Sequence, residues 1–188
     1  FSQKDPKHLL TMTVDLAELA VLMSDHKESM RYALDGIKLA QKEKDKGAES
    51  KLLFCIGENK WQLSFKEEAY DYFDKAIKLL QGTSSKLEMA MLSYFYGMKM
   101  DYLLNDSRSK EALEVGLKRE KLLKDIAKLP EKNQKGFLDL QYTYLYAKMS
   151  YICYLEGKYD QAENIINNIC QQRIHRHRME KPMRYLIC

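Results

Sequence analysis

His175 and His177, in the run Arg173-Ile174-His175-Arg176-His177-Arg178, are the side chains most suggestive of metal chemistry. Two positions apart on a helix they point to opposing sides, and no carboxylate or thiol at ligand spacing completes a site. The run reads as a basic, solvated helix end. Cys170 and His177 stand seven apart, close enough in register to share a helix face as a thiol–imidazole couple. A nucleophile of that kind needs a cleft and a third, orienting group, and neither is visible. Cys153 and Cys170 fall on the two helices of one expected pair, but neither loop length nor domain size calls for a disulfide there. With Cys55 and Cys188 they make four cysteines and no CxxC, so buried free thiols are expected. No Gly-rich phosphate loop, GxSxG elbow, HExxH or paired zinc knuckle occurs. The expectation is a chain without catalytic residues, bound metal or cofactor.

What remains is a chain built to hold rather than to react. Of its 188 residues, 45% are hydrophobic and 31% charged, which suits a folded chain and excludes a disordered one. Eight Gly and three Pro leave few tight turns, so long amphipathic helices with short joints fit better than a sandwich or barrel. No apolar run approaches the roughly 20 residues that cross a bilayer. The net charge of +4 lies entirely in residues 173–188, where Arg173, Arg176, Arg178, Lys181 and Arg184 face Glu180 alone. A neutral body does not match a nucleic-acid binder, which spreads basic charge along a working face.

The elements repeat about every forty residues. Ala17, Gly57 and Gly97 form one series of small residues, Gly36, Ala76 and Gly116 a second, and Ser29, Ala69 and Ser109 a third. Small side chains recur where two helices of a pair must approach closely. Helix boundaries follow local signals. Asp5-Pro6 is an N-cap with Pro at the first helical position. Asp25/Glu28, Ser64/Glu67 and Ser85/Glu88 have capping-box spacing. Gly47, Gly82 and Gly157 lie where helices should stop. The interval grows to 53 between Ser109 and Ala162, with the added residues around 122–135, where Pro130 ends a helix. Eight helices in four antiparallel pairs are expected.

The second unit carries Leu53-x-x-Ile56-Gly57, then Ala69-x-x-x-Phe73-x-x-Ala76, either side of a break at Ser64 and Phe65. This pattern resembles the tetratricopeptide (TPR) repeat, although Leu53 stands for the usual Trp, Lys60 for the usual Tyr, and no Pro closes the unit. Gly157-x-Tyr159-x-x-Ala162 resembles the turn and second-helix start of the same family, while Leu16-Ala17 and Tyr96-Gly97 are weaker matches. The resemblance implies an all-α fold, a right-handed α-α superhelix in which neighbouring pairs bury one another's apolar faces. Its units would be about 9–46, 47–82, 84–129 and 133–172, followed by a basic helical tail at 173–188.

In TPR arrays the first helix of each pair lines a concave surface. By that resemblance, unit two offers Lys51, Phe54, Glu58, Trp61 and Gln62, and unit three Met91, Tyr94, Met98, Asp101 and Tyr102. Unit four offers Tyr144, Ala147, Tyr151, Tyr154 and Leu155, and unit one the plainer set Thr11, Val14, Glu18, Val21 and Leu22. Trp, Tyr and Met at these places would give stiff and adaptable contact area for a peptide. The competing reading is that the aromatic stripe is core.

Two function classes follow, both with a protein or peptide partner. The Lys-rich, Tyr-rich composition and the phrase Tyr32-Ala33-Leu34-Asp35-Gly36-Ile37-Lys38-Leu39-Ala40 resemble TPR arrays preceding histidine kinase or DNA-binding output domains in Bacteroidetes-type regulators. That resemblance implies a sensory or scaffolding module on the periplasmic side, with Phe1-Ser2-Gln3 similar to the region around a signal-peptidase site. The alternative is a cytoplasmic TPR regulator that binds a short signalling peptide. In either case the apolar stop Tyr185-Leu186-Ile187-Cys188 suggests a fragment of a longer polypeptide.

Overall fold

The computed structural model describes residues 5–130 and 134–167, and among these the chain is helical with no strand. Helices α1 (Pro6–Leu22), α2 (His26–Glu43), α3 (Lys46–Gln62), α4 (Lys66–Leu80), α5 (Lys86–Asn105), α6 (Ser109–Ala127) and α7 (Gln134–Leu155) follow in order. Residues 159–167 begin an eighth, α8. The all-α expectation holds. The basic tail and the apolar stop at 185–188 lie outside the described residues, as do residues 1–3.

The same turn joins the two helices of each pair, and Lys44 repeats it between α2 and α3. Ser24, Ser64, Ser107 and Gly157 all have left-handed backbones, with φ of 57°, 68°, 57° and 71°. In each case the next residue's N–H reaches the carbonyl five positions back: Asp25 to Ala20, Phe65 to Lys60, Arg108 to Leu103 and Lys158 to Cys153. The left-handed residue itself bonds three back, which completes a Schellman cap and satisfies carbonyls a helix end would otherwise leave bare.

The turns within the pairs set the register, and they correct the third member of all three small-residue series. Seven positions before each turn stand Ala17, Gly57, Met100 and Ser150; five positions after stand Ser29, Ala69, Ala112 and Ala162. The third unit therefore uses Met100 and Ala112 where Gly97 and Ser109 were expected, because its first helix carries three more residues ahead of the turn. Gly97 is buried, but Ser109 is only the first residue of α6. By the same register Arg119, not Gly116, corresponds to Gly36 and Ala76. The intervals between turns are 40, 43 and 50 rather than 40, 40 and 53.

Other local signals resolve in both directions. Asp5 and Asp25 cap α1 and α2, accepting from Lys7 N and Glu28 N, and Ser85 accepts from Glu88 N at 3.4 Å. Ser64 does not cap α4: it is the left-handed turn residue, and Phe65 holds the cap position without a side-chain bond. Gly47 does not end a helix but lies in the first turn of α3, Lys44 supplying the left-handed stop with φ 56°. Gly82 is left-handed as expected, and α6 ends at Ala127, short of Pro130.

The chain divides into two compact units, Phe1–Lys99 and Met100–Cys188. In the first, α1–α2 and α3–α4 are antiparallel pairs. Ser29 Oγ donates to Ala17 O at 3.1 Å and Ser50 Oγ to Ala76 O at 2.7 Å. A Cβ on Gly57 would sit 2.6 Å from the Phe73 ring and 3.1 Å from Ala69 O, so the small residue is sterically required. Gly36 similarly admits Leu52, at 2.8 Å. Leu10, Val14, Ala17, Val21, Ala33, Leu52 and Ile56 form a core shared by α1, α2 and α3. A polar chain is buried beside it. Asn59 donates to Ser29 Oγ at 2.7 Å and to Cys55 O at 2.9 Å, and its carbonyl takes a bond from His26 Nδ1 at 2.9 Å.

In the second unit Ser150 Oγ on α7 donates to Ala162 O on α8 at 3.0 Å, the Ser29–Ala17 bond with the two residue types exchanged. Gly116 makes room for Met100 and Met149, whose atoms would lie 3.0 and 3.3 Å from an added Cβ. Arg119, 5% exposed, fills the place where the first two pairs have Gly36 and Ala76, and donates to Gln141 Oε1 at 2.6 Å. Tyr146 Oη donates to Glu120 at 2.9 Å, tying α7 to α6.

Candidate functional site

Within the first unit, α1, α3 and the first part of α5 enclose a hollow of about 500 Å³. No residue of α2 or α4 lines it. Each lining helix turns an inner stripe toward it. On α5, Leu87, Met91, Tyr94 and Met98 recur at spacings of four, three and four, which is one face of a helix.

The floor is core as well as surface. Phe54 is 2% exposed, its ring stacked on Phe95 at 4.4 Å and 5° and tilted against Phe73 at 4.6 Å. Expected to meet a ligand with its ring, Phe54 spends most of that ring on packing. Tyr94 is the opposite case, with 58% of its surface open on the wall of the hollow. Met91 and Met98 flank it, half-buried.

Lys51 pairs with Glu18 at 3.3 Å, and Glu58 lines the same hollow. Two neighbours register these carboxylates. Burial pushes the Cys55 thiol far above its ordinary range, and Glu58 and Glu18 push it further, against a smaller opposing effect of Lys51. The Tyr94 phenol is raised by partial burial and then by the same two carboxylates. Cys55 is therefore a protonated, buried thiol without nucleophilic character at neutral pH.

Lys51, Phe54, Glu58, Met91, Tyr94 and Met98 all come together here, joined by Glu18, Val21 and Leu22 of α1. Trp61 and Gln62 do not line the hollow; they lie at the end of α3, where the Lys66 ammonium stands 5.2 Å from the Trp61 ring centroid. Asp101 and Tyr102 belong to the second unit, and Asp101 is held there by Lys148 at 2.5 Å. Tyr144, Tyr151 and Tyr154 are exposed on α7, with Tyr154 edge-on to Tyr159 at 5.5 Å. Leu87, Ala90, Phe95 and Cys55 were missed as lining residues. The spacing of Leu87 from Met91, one helical turn, was the available signal.

A scan against protein-family models finds no match, and a search of curated proteins finds none. Among solved structures the chain is similar to the crystal structure of BtubC (BKLC) from P. vanneervenii, with a TM-score of 0.66 at 16% identity. The match covers 100% of this chain and 72% of that one. At that identity the likeness speaks for the helical fold alone. Among the described residues no group of three or more His, Cys, Asp or Glu is placed to hold a metal, and no helix is long and apolar enough to cross a membrane. His175, His177 and Cys170 lie outside the described residues, and with them the Cys153–Cys170 pairing.

Proposed function

We propose that this chain is a protein- or peptide-binding module of the TPR kind, with its pairs arranged as a right-handed superhelix, serving as the sensory or scaffolding part of a bacterial regulator. The observation that carries the binding role is the hollow itself, lined by first helices alone and walled by an open tyrosine and two methionines. Stiff aromatic and adaptable thioether surface on a rigid helical frame suits a segment of another chain better than a reaction. The turn repeated inside each pair and the small residues at fixed offsets from it support the repeat reading. The regulator assignment rests on the sequence resemblance alone.

Panning a random dodecapeptide display library on the folded chain tests the binding role. Peptides that bind the native chain and lose about tenfold or more in affinity to Tyr94→Ala/Met98→Ala support it. If every recovered peptide binds that variant equally well, the hollow is not the site.

A further inference from the structure

We infer that a second surface, at the end of the α3–α4 pair remote from its Ser64 turn, docks an acidic peptide segment that carries an apolar side chain beside its carboxylates. The surface is a recess of about 590 Å³, lined by Lys46, Glu49 and Leu53 of α3 and by Lys75, Lys78 and Leu79 of α4. The α3 residues stand three and four apart, which is one face of that helix. None of the six lines the hollow of α1, α3 and α5, so either surface can fail alone.

The charge of the recess is unbalanced. Three lysines face one carboxylate, and that carboxylate already accepts from Gln41 Nε2 at 2.8 Å. Among the described residues none of the three ammoniums is paired with an acid; Lys75 stands over the Tyr72 ring instead, 4.7 Å from its centroid. Lysines that bridge helices elsewhere in this unit behave differently: Lys51, Lys60 and Lys99 reach Glu18, Glu68 and Asp74 at 3.3, 2.7 and 2.5 Å. The like charges gathered round one recess repel one another, and an incoming carboxylate relieves that repulsion. The floor decides which anion fits. Leu53 and Leu79 are half-buried, and the lysine stems add methylenes to the same wall. Inorganic phosphate would leave that apolar surface in water, and a bilayer is too broad to enter it. A nucleic-acid strand gains from stacking its bases, and among the described residues the lining holds no aromatic ring. A peptide with Asp or Glu beside a large apolar residue uses both parts at once.

The test pans a dodecapeptide display library at low ionic strength on the Tyr94→Ala/Met98→Ala chain, whose first hollow is disabled. Recovered peptides are synthesised and measured against the same chain carrying Lys46→Gln/Lys75→Gln/Lys78→Gln. The expected result is a set with Asp or Glu within two positions of Leu, Ile, Met or Phe, weakened about tenfold or more by the three glutamines. Added salt should narrow that difference, and arginine at the three positions should preserve binding. All three lysines are exposed, and Lys46→Gln/Lys78→Gln carries the test if the triple variant fails to fold. Recovered peptides that all bind the glutamine chain equally well overturn the inference, as do lysine-dependent peptides without acidic enrichment. Lysine-dependent binding of inorganic phosphate or of phosphatidylserine vesicles, with no lysine-dependent peptide, overturns it in favour of a simple anion or a membrane.

Discussion

The rings of Phe54 and Phe95 lie 4.4 Å apart and within 5° of parallel, joining α3 to α5 beneath the hollow. A surface meant to receive a ligand thus shares its floor with the core, and the two duties can be separated by substitution. Phe54→Ala removes a nearly buried ring from contacts with Phe95 and Phe73 and should cost about 3–5 kcal/mol. Tyr94→Ala removes an exposed ring and should change stability by no more than about 0.5 kcal/mol while weakening peptide binding. Urea unfolding of the two variants checks this; a Tyr94→Ala chain as damaged as Phe54→Ala would make the wall structural.

Gly57 and Gly47 lie in one helix, ten residues apart, and should respond to alanine with opposite signs. At Gly57 the new methyl would meet the fully buried Phe73 ring at 2.6 Å, and overpacking of this kind costs about 1–3 kcal/mol. At Gly47 the nearest atoms are Asp45 Oδ1 at 3.4 Å and Met91 Cε at 3.7 Å, ordinary contact distances. Gly47→Ala then gains helix propensity, about 0.5–1 kcal/mol at most. Thermal melts of both variants decide it, and destabilisation by Gly47→Ala would contradict the placement of Gly47 inside α3.

The turn inside the pairs predicts a stabilising change. Three of its left-handed positions there are serine, which bears a Cβ penalty, and the fourth is glycine, which does not. Ser64→Gly should raise stability by up to about 1 kcal/mol, after the greater freedom of glycine in the unfolded chain is subtracted. Gly157→Ser should lower it by a similar amount. Equal midpoints for Ser64→Gly and wild type in urea would mean the serine side chain recovers the penalty locally.

The all-helical fold and the α1–α2 and α3–α4 pairs were legible in the sequence because a small buried residue stands at a fixed distance from each turn, and at Gly57 an added Cβ would collide with Phe73. Ala17–Ser29 and Gly57–Ala69 keep that distance, and their forty-residue interval is the structural one. The third unit was misread because its position is filled by Met100, a large flexible residue, accommodated by Gly116 on the facing helix. Size had moved across the pair, and a search for small residues followed Gly97 instead. Ser64 was misread for a related reason: serine is common at N-caps, and its composition does not distinguish a cap from a left-handed turn. At the site, inner-stripe positions from α3 and α5 were found, since helical spacing sets which residues share a face. That Phe54 would be buried while Tyr94 stayed open depended on the ring stacked above it, which no spacing reveals.

Cys55 gives a pH dependence with a definite sign. Its thiol is raised in the folded chain, by burial first and by Glu58 and Glu18 next, whereas in the unfolded chain it titrates near pH 8.5. Folding therefore favours the protonated form. The associated stability is fully present below about pH 8.5 and is lost as pH rises toward the folded value, because the unfolded chain then releases a proton that the folded chain keeps. The slope reaches about 1.4 kcal/mol per pH unit once the unfolded thiol is ionised. Urea midpoints measured from pH 7 to 10.5 should fall on the alkaline side, and less steeply in Cys55→Ala, the difference between the two slopes isolating the thiol from tyrosines such as Tyr94. Iodoacetamide at pH 8, read by mass spectrometry on the peptide containing Cys55, should modify it only after urea is added. Rapid labelling of Cys55 in the folded chain, or parallel slopes in wild type and variant, would show that the hollow admits water to its floor and that the carboxylates at its rim act across a far weaker field than its geometry implies.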